Sequence, residues 1–176
     1  MDKNLEKILY GTLKMAILDE LTALKYPESD ERPLSFLYDK LKETELWNYL
    51  EDIKRLKKIV GEIKREEHSL EVLPYKLFAI SALIGTFAFR DFWAMLGLGI
   101  LGYLLGKVYK VAYPFDNRKR AILSFIKGKI DADELFKMLY GKSVEDAIEE
   151  FKKKQPKQYK KLLHYILPVI KNGRHT

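Results

Sequence analysis

Two uncharged runs, LFAISALIGTFAF over 77–89 and FWAMLGLGILGYLL over 92–105, are separated only by Arg90 and Asp91. The flanking sequence is dense in Lys, Arg, Asp and Glu, so the change of composition at Leu77 and again at Lys107 is abrupt. One continuous helix from Leu77 to Gly106 would be roughly 45 Å long at about 1.5 Å per residue, well beyond a hydrocarbon core of about 30 Å. It would also hold Arg90 and Asp91 at mid-depth, where a charge costs several kcal/mol unless it finds a partner or water. A turn at Arg90–Asp91 removes both difficulties, and the stretch 73–115 reads as a transmembrane helical hairpin.

The arms are short. Leu73–Phe89 and Phe92–Tyr113 reach across the core only if Lys107 and Lys110 extend their ammonium groups toward the headgroups. Lys57, Lys58, Lys64, Arg65 and Lys76 precede the first arm, and Lys107, Lys110, Arg118, Lys119 and Arg120 follow the second. The positive-inside rule then puts both ends of the hairpin in the cytoplasm. Aromatic residues gather where the arms would meet the interfaces: Tyr75 and Phe78 at entry, Phe87, Phe89, Phe92 and Trp93 at the turn, Tyr109, Tyr113 and Phe115 at exit.

The competing reading is a hairpin buried inside a soluble helical protein, since runs of 10 to 14 apolar residues also form core helices. Two features oppose it. Both arms are apolar on all sides, and a chain of 176 residues has few other helices with which to wrap them. The apolar segment lies past residue 70, which is not where a signal peptide sits.

Within the arms, Gly99, Gly102 and Gly106 share a helical face that includes a GxxxG, and Ser81 with Gly85 forms a similar small pair. Small residues let helix backbones approach closely in lipid, so these faces join either the two arms or two copies of the hairpin. Arg90 and Asp91 form a solvated turn or, were several hairpins to surround an axis, a charged pore mouth.

Outside the hairpin the pattern is helical throughout, with no strand-like alternation, and the fold class is all-α. Leu5, Ile8, Leu9, Leu13, Ala16, Ile17, Leu21 and Leu24 predict a helix over 3–25. A polar break with two prolines follows over 26–33. Helical periodicity resumes from Leu34 to Leu70, with Leu46, Tyr49, Ile53, Leu56, Val60, Ile63 and Leu70 on one seam that fails at Glu67, and Pro74 should end that helix. Beyond Pro114, short helices are expected to stop near Gly128, to start at an Asp131 cap and stop at Gly141, and to start at Ser143, paired with Asp146, and run through Phe151. A last helix from Pro156 carries Tyr159, Leu162, Leu163, Ile166, Leu167 and Ile170, with Pro168 expected to kink or shorten it. The segments 1–72 and 116–176 are therefore expected to build a cytoplasmic helical bundle.

The net charge of +7 is laid out in blocks. Residues 1–52 and 131–150 are net acidic, whereas 53–76, 107–130 and 151–176 are net basic. Lys152, Lys153, Lys154, Lys157, Lys160 and Lys161 make the densest basic surface, suited to anionic headgroups or an acidic protein face and, less readily, to nucleic acid, because Arg is scarce there. Absence of cysteine removes disulfides, thiolate metal sites and thiol nucleophiles. The three histidines, His68, His164 and His175, do not have metal-ligand spacing. Gly141, Lys142 and Ser143 resemble the end of a phosphate-binding loop, but that loop's first glycine would fall at Phe136, inside a predicted helix. No catalytic residue, cofactor or metal site emerges, and an enzyme is not expected. Abundant Lys, Glu, Ile and Tyr fit a thermophile's usage.

These readings converge on a two-span membrane protein with both termini cytoplasmic, acting as a scaffold that self-associates or holds a membrane-protein partner, with anionic lipids around it. A channel-like oligomer lined by the hairpin is the alternative. A virion or nucleoid protein binding nucleic acid through the basic C-terminal tail is the second.

Overall fold

The computed structural model describes residues 3–26 and 35–172. It is all-helical, with no strand among the described residues. The order is α1 (Lys3–Thr22), α2 (Ser35–Leu41), α3 (Leu46–Phe89), α4 (Phe92–Ala112), α5 (Asn117–Ile126), α6 (Ala132–Tyr140), α7 (Val144–Lys154) and α8 (Pro156–Asn172). The chain divides into two compact units, one of residues 1–60 with 120–176 and the other of residues 61–119.

The first unit is built around α1. Its stripe of Leu9, Leu13, Ala16, Ile17 and Leu21 is at most 1% exposed, and α1 packs against α6, α7 and α8. Those helices contribute Leu135 and Phe136, then Val144, Ala147, Ile148 and Phe151, then Tyr159, Leu162, Leu163 and Ile166, all buried. The start of α3 adds Leu46, Leu50, Ile53, Leu56 and Val60. Tyr49 of α3 lies 5.3 Å from the Phe136 ring and 5.0 Å from that of Tyr140, whose hydroxyl donates to Asp52 at 2.8 Å.

Helix ends in this unit are set by local chemistry. Asp131 caps α6 by accepting from the Glu134 N–H at 2.8 Å, and Gly141, at φ 71°, closes it in the left-handed conformation that glycine adopts without steric cost. Ser143 and Asp146 form a reciprocal capping box at the start of α7. After α5, Gly128 is left-handed and the Lys129 N–H donates back to the Ser124 carbonyl at 2.8 Å, as in a Schellman closure.

Several expectations need correction. The helical stretch expected over 34–70 is interrupted between Leu41 and Leu46, because buried Thr44 turns its hydroxyl and its N–H onto the Leu41 carbonyl at 2.7 and 2.9 Å and draws the backbone out of the helical ladder. Helix α1 ends at Thr22 rather than Lys25, its last turn tightening as Leu24 and Lys25 bond carbonyls three residues back. Helix α7 continues past Phe151 to Lys154. Pro74 does not end its helix, since α3 runs through it to Phe89, and α8 continues through Pro168, past Ile170, to Asn172. In α8 the residue four positions before Pro168 is exposed His164, whose carbonyl can turn to water. The two-proline break over 27–33 lies outside the described residues, as do His175 and the side chains of Leu167 and Ile170.

Charges pair between helices of this unit, and the basic tail meets both acidic blocks through Lys152 and Lys154. Lys14 of α1 bonds Glu145 and lies 3.5 Å from Asp133, Lys152 pairs with Glu6, and Glu150 is held by Lys142 and, at 2.6 Å, by Lys154. The hydrogen bond from Lys142, reinforced by that from Lys154, pulls the Glu150 carboxyl from the ordinary 4.5 down to about 2. A carboxyl depressed by folding stabilises the fold above its unfolded pKa and loses that effect as pH falls through the folded value. Between about pH 4.5 and 2 the native chain should therefore lose more stability than Glu150→Gln in acid titrations followed by circular dichroism. In thermal melts, Phe136→Ala should cost about 3–5 kcal/mol, and exposed Met138→Ala should stay within about 0.5 kcal/mol.

Candidate functional site

The second unit contains the end of α3, the turn and all of α4. Helix α3 stops at Phe89; the Arg90 N–H donates to the Thr86 carbonyl at 3.1 Å, and Arg90 takes the left-handed conformation at φ 50°. Asp91 then caps α4, its side chain accepting from the Trp93 N–H at 3.3 Å. Arg90 and Asp91 are both exposed and form the whole connection. A left-handed residue with a Cβ costs on the order of 1 kcal/mol that glycine would avoid, yet the position holds a cation.

Small residues bring the arms together. Gly85, Gly99, Gly102 and Gly106 are buried, and a Cβ added to any of them would strike the opposite arm. At Gly102 it would meet the Ser81 hydroxyl and sit 2.6 Å from the Leu77 carbonyl oxygen; at Gly106 it would lie 2.5 Å from the Pro74 Cα; at Gly99, 2.8 Å from the Phe78 ring; and at Gly85, 2.8 Å from the Met95 Cα. Close approach of this kind is how helices gain packing where no hydrophobic drive separates protein from solvent. Pro74, inside α3, packs directly on the bare Gly106 backbone.

The outward faces are the reverse. Ile80, Leu83, Ile84, Phe87, Phe89, Phe92, Trp93, Ile100, Leu101, Leu104, Leu105, Val108 and Val111 are all exposed, Phe87 at 80% and Val111 at 86%. Only 11% of the most apolar window of α3 and 17% of that of α4 is buried, and both helices are long and apolar enough to cross a membrane. An apolar environment would favour each such side chain by up to about 1.5–3 kcal/mol over water.

Several polar groups of the arms have neighbours within the hairpin. Ser81 faces Gly102, the Thr86 hydroxyl donates to the Ala82 carbonyl at 3.0 Å, and the Tyr103 ring stands edge-on to Tyr75 at 5.6 Å with the Lys107 ammonium 5.4 Å from its centre. At the open end of the hairpin, Glu66 accepts from Tyr113 and, at 2.8 Å, from Lys119. The Lys119 hydrogen bond, more than that of Tyr113, holds the Glu66 carboxyl below its ordinary range.

In the first unit, the C-terminal lysines separate into two groups. Lys152 and Lys154 are engaged with Glu6, Glu45 and Glu150. Lys153, Lys157, Lys160 and Lys161 are exposed and carry no ion pair among the described residues. Sequence reasoning placed all six together, because spacing alone does not reveal which lysines meet an acid from another helix. Among the described residues there is no cluster of His, Cys, Asp and Glu able to hold a metal. No family model, no curated protein and no solved structure matches this chain.

Gly102→Val should overpack the arm contact and cost about 1–3 kcal/mol in mixed-micelle unfolding followed by circular dichroism. Gly97→Val, at a glycine with nothing within 4 Å of the added carbon, should stay within about 0.5 kcal/mol.

Proposed function

We propose that this chain is an integral membrane scaffold: the hairpin over 73–115 spans the bilayer twice, and the helices of 1–72 and 116–176 lie on the cytoplasmic side, where they self-associate or hold a partner. The carrying observation is the division of labour in the arms, with Gly85, Gly99, Gly102, Gly106 and Ser81 at the contact between them and large apolar groups facing outward. Lipid is the solvent that suits such a surface. The cation at the left-handed Arg90 position fits a tip that must remain in headgroups or water, since a charge there resists being drawn into hydrocarbon. Basic residues at the open end support a cytoplasmic location for both termini. The exposed Lys157, Lys160 and Lys161 of α8, with Lys153 at the end of α7, suit an acidic face of the partner.

A pore built from several hairpins is the second reading, and the same observation disfavours it. A water-filled path needs polar lining, whereas Ser81, Thr86 and Tyr103 already have neighbours within one hairpin. Nucleic-acid binding through the tail is a third reading; two of its lysines are held in ion pairs, which shrinks the charge left for phosphates.

Reconstituted into sealed liposomes under a potassium gradient, the protein should leave flux at the level of empty vesicles. Flux well above that level, altered in size or selectivity by Arg90→Ala and Asp91→Asn, would overturn the scaffold reading in favour of the pore.

A further inference from the structure

Just before the uncharged stretch, α3 carries an open groove of about 450 Å³ lined by Lys64, Arg65, His68, Ser69, Val72 and Lys76. These residues fall on one side of the helix, at spacings of three and four. Their charge is not consumed locally. Lys64, His68 and Lys76 have no ion pair among the described residues, and Arg65 spends only its Nε–H, on the Gly61 carbonyl at 3.4 Å. The acids interleaved with them are engaged: Glu66 with Lys119 and Tyr113, Glu67 and Glu71 with partners of their own. The groove is thus a cluster of cationic and hydroxyl donors in which the carboxylates between Lys64 and Lys76 have partners, while exposed Glu62 lies at its N-terminal edge.

What distinguishes it from a general basic patch is its continuation. Beyond Lys76 the same side of α3 proceeds as Ala79, Leu83 and Phe87, all exposed. The polar part would accept a phosphate, and the apolar part would accept a hydrocarbon chain running away from it. A free anion has no use for the second half, and a nucleic acid has no chain to lay there. Side chains on a helix lean toward its N-terminus, so the Lys76 stem covers Val72 and carries its ammonium back toward His68, away from the apolar stretch.

We infer that the face of α3 between Lys64 and Lys76 is a binding site for the phosphate group of an anionic lipid whose acyl chain lies along Ala79, Leu83 and Phe87. The inference rests on the membrane reading of the hairpin and adds to it a defined site on one arm. Lys64 and Lys76 attract the charge, His68 and Ser69 donate to phosphate oxygens, and the Arg65 guanidinium offers its remaining N–H groups as a paired donor.

Phosphatidylglycerol and phosphatidylcholine, titrated separately into the detergent-solubilised full chain and followed by native mass spectrometry, test the site. The native protein should retain phosphatidylglycerol over phosphatidylcholine by on the order of tenfold. Lys64→Gln, His68→Gln and Lys76→Gln combined should abolish that preference while the variant still floats with pure phosphatidylcholine vesicles. Persistence of the preference in the triple variant would overturn the site, as would its loss instead in a variant carrying Lys153→Gln, Lys157→Gln and Lys160→Gln. Displacement of the lipid from the native chain by millimolar inorganic phosphate would show a free-anion site and overturn the lipid assignment. Failure of the native chain to float with either vesicle would instead remove the membrane reading on which the site depends.

Discussion

Backbone-to-backbone contact between α3 and α4 is the constraint on which the second unit depends. Gly85 and Gly106 meet the backbone of the opposite arm, Gly102 meets Ser81 and the Leu77 carbonyl, and Gly99 takes the Phe78 ring, so little side-chain bulk separates the arms. Bulky residues are therefore displaced to the outside. An interface of glycines buries little apolar area, so a hairpin joined this way gains little from the hydrophobic effect between its own arms and presents nearly all of its apolar surface to its surroundings. The same choice sets Pro74 directly on Gly106 and leaves Ser81 against Gly102.

The first unit follows the opposite rule. Its core is made of large side chains, Phe125, Phe136 and Phe151 among them, and its surface charges pair between elements distant in sequence: Glu6 with Lys152, Lys14 with Glu145. This is the organisation of a water-soluble helical bundle, where burial supplies the stabilisation and exposed ion pairs add little. Two solvation regimes in one chain account for the abrupt changes of composition at Leu77 and Lys107. In the scaffold proposed above, the hairpin unit would meet lipid and the helical bundle would meet partners in water.

Much of this was legible in the sequence wherever the cause is local. Asp131, Gly141 and Ser143 act on their own helix ends, so their roles could be read from neighbours three residues away. The two apolar helices and the all-helical class follow from composition and periodicity. Errors arose where tertiary packing or a side-chain hydrogen bond overrides the local pattern. Pro74 breaks helices in isolation but here faces Gly106, and Thr44 ends α2 through a hydroxyl bond that periodicity does not register. The glycine stripe was readable as a packing face, but its partner was not, because the same spacing serves one hairpin or two copies. The α3 groove was missed because Lys64, Arg65, His68 and Lys76 alternate with Glu66, Glu67 and Glu71 along the chain; only folding shows that Glu66 is taken by Tyr113 and Lys119.

The central claim is that lipid, not water or protein, covers the outward faces of α3 and α4, with the Arg90–Asp91 tip on the far side of the bilayer from both termini. The chain has no cysteine, so single substitutions supply clean reporters. Membranes bearing Arg90→Cys or Lys153→Cys, treated from one side with an impermeant maleimide, provide the most direct measurement. The account predicts that the tip and the tail react from opposite sides. Labelling of both from the same side, or recovery of the chain in the aqueous fraction, would contradict it.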